Sequence, residues 1–230
     1  MLLNEILDSA STKLQDQHPN LHRWKNWEPN TPFAPLFDVP LWVEDLDASF
    51  VELLIDEIKA NDIQPYGDAW RSYNIFSWRT KSVNFLRKQI TRAYINYINA
   101  LSYPQEGINT LWIRGWGVIL DPGQHLNIHS HSYHENTFIS GNLMLSDNKT
   151  TTDYYLPHLS PYYGPWRCEN KPGRITLFPS WVLHGVKQTE DRRISVGFDL
   201  YTSHTMQYIS DNRIVGDIHQ ESILKSIKLV

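Results

Sequence analysis

Between Ser49 and Asp62 the apolar residues Val51, Leu54, Ile55 and Ile58 fall three and four positions apart, the spacing of one helical face. Asp47-Ala-Ser-Phe50 opens that stretch with a capping residue. A second helix is expected over residues 82–101 (SVNFLRKQITRAYINYINAL), where Phe85, Ile90, Ala93, Tyr94 and Tyr97 share a face. Ahead of both, LFDVPLWVEDL at 36–46 reads as a half-buried strand whose Pro40 suggests a sheet edge. Residues 1–35 are polar, with a short helix expected at 3–16 and Pro-punctuated coil after it.

After Pro104 the period changes from helical to short. TLWIRGWGVIL, FISGNLMLS, TDYYLPH, GRITLFPS and RRISVGFDLYT follow one another, separated by the turn signals DPG, SDN, SPYYGP, NKPG and TED. Two helices beside a set of short antiparallel strands predict an α+β fold, mainly β, built as a sandwich or barrel. There is no internal repeat or linker, so residues 1–230 are expected to form one domain. Within it, 1–35 is an N-terminal extension, 36–103 the helical support and 104–204 the β core. The tail from Asp211 is expected to add an edge strand or a short helix.

Composition narrows the function classes. With 230 residues, 41% hydrophobic and 20% charged, the chain is an ordinary globular sequence. Aromatic residues reach 13%, which suits both a ring-rich core and a pocket walled by residues such as Trp116, Tyr155, Trp166 and Trp181. A net charge of −4 without any basic run argues against a nucleic-acid partner. Cys168 is the only cysteine, so an intramolecular disulfide and a multi-thiolate zinc site are both impossible. Acidic residues in MLLNEILDSA do not suit a secretory signal, and no apolar run reaches membrane-spanning length. The expected location is the cytoplasm, with no membrane partner.

Four of the ten histidines, His125, His129, His131 and His134, lie within the single stretch GQHLNIHSHSYHENTFISG. In a strand, residues two apart face the same side, so His129 and His131 project together, with His125 and Asn127 on that side too. Two neutral imidazoles fixed in this way pre-organise a chelate. His184, in GRITLFPSWVLHGV, is the best distant third ligand.

These segments resemble the 2-oxoglutarate/Fe(II) oxygenases of the double-stranded β-helix fold. That resemblance rests on Gly123, His129-Ser-His131, Ser140-Gly141, Leu177-Phe-Pro-Ser180, His184 and Arg193-Ile-Ser195 in that order, and spans residues 36–200. It implies a jelly-roll, cupin-like barrel with two or more helices packed on its major sheet. It also implies a metal site of His129, His131 and His184 holding Fe(II), with Arg193 and Ser195 binding 2-oxoglutarate. The implied activity couples decarboxylation of 2-oxoglutarate to oxidation by O2 of a small-molecule or peptide substrate. Alternation in RRISVGF puts Arg193 and Ser195 on one face and Arg192 on the other, and a guanidinium suits the planar carboxylate. The sequence departs from the family where His131 stands in the usual acidic position and where Asn142-Leu-Met-Leu replaces tyrosines. The spacing to Ser140-Gly141 fits His134 better than His131.

A second pattern covers the same residues. Gly123-x5-His129-x-His131-x3-Glu135, followed by Gly173-x5-Pro179-x4-His184, resembles a cupin signature, with Glu135 as a further ligand. Trp181 and Gln188 depart from it. The alternatives to an oxygenase are therefore a metal-binding cupin of another chemistry and a non-catalytic jelly-roll. Only the oxygenase needs an arginine inside the barrel.

Overall fold

The computed structural model describes residues 18–61, 73–103, 110–131, 138–156 and 164–229. The expected helix at 3–16 lies outside them. Helix α1 (Val51–Ala60) buries Val51, Leu54, Ile55 and Ile58, the stripe read from the sequence. Helix α2 (Lys81–Ala100) starts where Thr80 Oγ1 accepts a hydrogen bond from the Val83 amide. Neither is long and apolar enough to cross a membrane, nor is any other helix among the described residues.

Among the described residues eleven strands form two antiparallel sheets. They are β1 (Leu21–Asn26), β2 (Phe37–Asp45), β3 (Leu111–Leu120), β4 (Leu126–His129), β5 (Ile139–Met144) and β6 (Thr151–Tyr155). Then come β7 (Trp166–Glu169), β8 (Arg174–Pro179), β9 (Leu183–Val186), β10 (Arg193–Thr202) and β11 (Ile227–Lys228). The major sheet has the order β1-β2-β8-β5-β10-β3-β11 and the minor sheet β4-β9-β6-β7. Helices α3 (Ser203–Asp211) and α4 (Ile218–Ile223) lie between β10 and β11.

Alternation along β10 explains the layering. Ile194, Val196, Phe198 and Leu200 point to one side and join the core shared with α1 and α2. Arg193, Ser195 and Asp199 point to the other, toward the minor sheet. Neighbouring strands obey the same rule: Ile139 and Leu143 of β5, and Ile175 and Leu177 of β8, enter the helix-side core. Ser140, Asn142 and Thr176 face inward. A smaller apolar cluster of Val39, Leu41, Tyr154, Leu156, Cys168, Phe178 and Val182 fills one end of the space between the sheets. Tyr154 Oη to Thr176 Oγ1 (2.5 Å) and Asn142 Nδ2 to Thr152 Oγ1 (3.2 Å) bond one sheet to the other.

Several elements differ from expectation. Residues 21–26 are not coil but the outermost strand of the major sheet, paired from Leu21↔Trp42 to Asn26↔Phe37. LHRWKN has no apolar period to betray it; it is held by Arg23, which forks onto Asp38, and by Trp24 packed against Trp166 at 5.4 Å. Consequently β2 is not an edge. Pro40 is tolerated because the ladder to β8 begins two residues later, at Trp42↔Leu177. Strands β1, β2 and β11 all lie outside the expected β core of 104–204, and β7 was not foreseen. The segment after β10 is helical, with Thr202 capping α3. The tail provides both of its expected elements, α4 and the edge strand β11 on β3.

Gly141 sits directly opposite Phe198 across β5 and β10. A Cβ there would meet the Phe198 ring at 2.1–2.7 Å. Phe198 in turn packs edge-on against Phe76 at 6.2 Å, so the ring has no free direction. Gly141→Ala is expected to cost about 1–3 kcal/mol or more through overpacking. Chemical denaturation of the purified variant checks this.

Candidate metal centre

The minor sheet brings two histidines together by register: His129 on β4 and His184 on β9 are cross-strand partners. His131 lies just past β4, where its amide donates to the Ser180 carbonyl at 2.9 Å. That carbonyl belongs to the turn between β8 and β9, so one short connection fixes both His131 and His184. The ring centroids stand 4.4 Å apart for His129–His184, 5.0 Å for His131–His184 and 5.2 Å for His129–His131. Each ring offers a nitrogen within 4.8 Å of the other two.

The tautomers follow from the hydrogen bonds. Nδ1 of His129 lies 2.7 Å from the Asn127 carbonyl and Nδ1 of His184 lies 3.1 Å from the Val182 carbonyl. Nδ1 of His131 lies 2.6 Å from Asp199 Oδ1. All three partners accept, so each Nδ1 carries the proton and each Nε2 keeps its lone pair. Three such lone pairs, on rings whose ligand nitrogens lie within 4.8 Å of one another, are a donor set for a metal ion. Burial, reinforced by the neighbouring histidines, holds His129 below and His184 well below the ordinary imidazole value. The neutral, ligating form is thus favoured.

A β-bulge between Leu126 and His129 corrects one expectation. His125 and Asn127 do not join the ligands. They lie exposed and bond each other, Nε2 to Oδ1, at 3.0 Å. His134 and Glu135 lie outside the described residues. Trp116 does line the site, 5.5 Å from His131 by ring centroids. Trp166 packs against Tyr154 between the sheets, whereas Trp181 is 42% exposed and Tyr155 is on the opposite face of β6 from Tyr154.

Arg193 and Ser195 point into the same interior, with Arg193 Nη1 donating to Ser195 Oγ at 2.8 Å. Among the described residues Nη2 reaches Met144 Sδ (3.2 Å) and Thr152 Oγ1 (3.3 Å), and Nε has no hydrogen-bond partner. The residue is 1% exposed. Burial brings the guanidinium down to about 10, still charged at neutral pH. Among the described residues no carboxylate forms an ion pair with it. Arg192 points outward to Asp121 at 3.1 Å, as alternation requires.

Sequence reasoning missed Asp199. It is fully buried and accepts from His131, from Ser140 Oγ (2.6 Å) and from Tyr201 Oη (3.1 Å). Burial alone would raise its carboxyl, but the nearby His131, hydrogen bonds from His131 and Ser140, and Arg114 together hold it below the ordinary value. The period-two pattern that selected Arg193 and Ser195 in RRISVGFD continues to Asp199 and could have found it. Thr152 and Tyr154, on the facing sheet, could not be placed without the fold.

No family model and no curated protein matches the chain. Solved structures do. A Pseudomonas putida prolyl-4-hydroxylase is similar with a TM-score of 0.53 and 15% identity, over 71% of this chain and 85% of that one. The non-heme alpha ketoglutarate dependent carbocyclase SnoK from nogalamycin biosynthesis is similar with a TM-score of 0.50 and 10% identity, over 70% and 79%. The fold is the double-stranded β-helix. At such identities the likeness is one of fold, and what this β-helix does has to be argued from its own residues.

Two outcomes are expected. His184→Ala removes a full vertex of the donor set and should abolish stoichiometric binding of a divalent ion, read by metal analysis after dialysis. The second concerns pH. Because His129 and His184 titrate lower in the folded chain than unfolded, the unfolded state takes up protons first as pH falls. The metal-free protein should therefore keep its full stability above about pH 6.5 and lose it progressively below, toward the lowered folded values. Denaturant midpoints at about pH 7.5 and about pH 5.5 check the sign.

Proposed function

We propose that this protein is a 2-oxoglutarate- and Fe(II)-dependent oxygenase acting on a small-molecule or peptide substrate. The observation that carries this reading is Arg193: a fully buried guanidinium that has, among the described residues, no partner for Nε and no acid beside it, facing the same interior as three clustered imidazoles. A buried cation without a counter-charge is costly, and a protein retains one where an anion is to be held.

In this reading His129, His131 and His184 hold the iron through Nε2. Arg193, supported by Ser195 and Thr152, grips the far carboxylate of 2-oxoglutarate. The guanidinium suits that task because it presents two parallel donors to a planar acceptor. Tyr154 stacks at 6.0 Å on His184 and bonds Thr176, so it walls the space between anchor and imidazoles. Its hydroxyl is held well above the ordinary phenol value, chiefly by burial, and stays protonated as a neutral lining. Trp116 closes the side next to His131 and shields that ring from water. Bound beside the iron, 2-oxoglutarate would supply the two electrons that O2 needs beyond those of the substrate, leaving as succinate and carbon dioxide.

The cupin alternative explains the histidines equally well and leaves Arg193 without a purpose. Anaerobic calorimetry of the metal-loaded protein with 2-oxoglutarate separates the two. Binding is expected for the parent. Arg193→Ala should lose about 3 kcal/mol, on the order of a hundredfold in affinity, while metal content stays unchanged. A metal-loaded parent that takes up no 2-oxoglutarate would favour the cupin.

A further inference from the structure

Among the described residues the donor set is all imidazole, so none of these ligands brings a negative charge to a divalent ion. Among the described residues a carboxylate stands one hydrogen bond further out. Asp199 Oδ1 lies 2.6 Å from His131 Nδ1, on the far side of the ring from its free nitrogen, in a pocket where the carboxylate is only 2% exposed. Its oxygens face hydrogen-bond donors: His131 and Ser140 at Oδ1 and Tyr201 at Oδ2. We propose, on the strength of the metal site described above, that Asp199 is a positioning residue which orients His131 and places behind it the negative charge that a carboxylate ligand would otherwise bring to the ion.

Three features of the chain fit this role. His131 stands at the position where the sequence pattern would place an acid, so this ring is the one whose charge needs replacing. A carboxylate accepting from Nδ1 fixes the tautomer and makes Nε2 a stronger base toward the metal. His129 and His184 donate instead to neutral carbonyls of Asn127 and Val182, so the arrangement is specific to His131. Asp199 also shares β10 with Arg193, which gives one strand both the acid behind the metal and the cation at the far end of the pocket.

Co(II) alone, titrated anaerobically by calorimetry and by its visible absorption, tests the proposal without any turnover. Asp199→Asn keeps the shape and the acceptor but removes the charge, and should weaken Co(II) binding roughly 10–100-fold. His131→Asp should bind poorly, because it sets a second carboxylate against Asp199. The double variant His131→Asp/Asp199→Asn moves the charge onto the metal and should recover binding well above either single variant. A merely structural Asp199 would not produce that rescue. Asp199→Asn matching the parent, or a double variant no better than His131→Asp, overturns the proposal. A parent that takes up no Co(II) overturns it together with the metal site. Should the Asn variant not fold, nitrogen NMR of the Zn(II)-loaded parent decides: His131 should carry its proton on Nδ1 and metal on Nε2, and metal on Nδ1 overturns the proposal. Failure of 2-oxoglutarate to bind would strike the oxygenase reading alone, since Co(II) uptake reads only the residues around the ion.

Discussion

The two-sided character of β10 governs the rest of the molecule. Its odd-numbered residues from Arg193 to Asp199 are polar or small, and its even-numbered residues from Ile194 to Leu200 are apolar. A strand of this kind can satisfy both sets only between a greasy layer and a cavity that supplies partners. Helices α1 and α2 provide the first, and the minor sheet provides the second. A register slip by one residue would drive Arg193 and Asp199 into the helix-side core and turn Phe198 into the polar interior, so the pairing with β3 and β5 is strongly specified.

The interior is therefore unusual as a core. Apolar side chains crowd the end bounded by β2 and β8, and the remainder holds, beside Met144 and Trp116, hydroxyls, an amide, the acid Asp199, the guanidinium groups of Arg193 and Arg114 and the imidazoles. Such groups are tolerated in low dielectric only when bonded, and most are. Thr152 illustrates the economy: its single hydroxyl serves Arg193, Asn142 and Asn170. The free energy of folding comes mainly from the other side of the major sheet, where α1 and α2 cover it. Chemistry and stability are thereby separated onto the two faces of one sheet.

Much of this was legible in the chain because it is periodic. The stripe Val51-Leu54-Ile55-Ile58 and the alternation in RISVGF state their environment directly, and the order of motifs pointed to the β-helix. The Ser140-Gly141 pair also acquires a physical meaning: Ser140 bonds Asp199, while Gly141 makes room for the Phe198 ring. What stayed hidden was non-local or aperiodic. Strand β1 carries only Leu21 on one side and Trp24 on the other as apolar residues, and is held by an Arg23–Asp38 ion pair and by the Trp166 ring of β7. The bulge that turns His125 and Asn127 away from the ligands is a backbone irregularity with no residue signature. Pro40 misled because a proline forbids only the ladder it actually faces.

Strand order has a consequence for how the chain reaches this state. In the major sheet β2, β3 and β5 share no ladder with one another; β8 is inserted between β2 and β5, and β10 between β5 and β3. Apart from the β1–β2 hairpin, no pair in that sheet can form until residues 174–202 are available. Contacts at such sequence separation are slow to close, because loop entropy is lost before any pairing repays it. The late-arriving strands carry Arg193 and Asp199, and the turn after β8 leads into His184. The site is accordingly assembled only with the strands that fill the centre of the sheet.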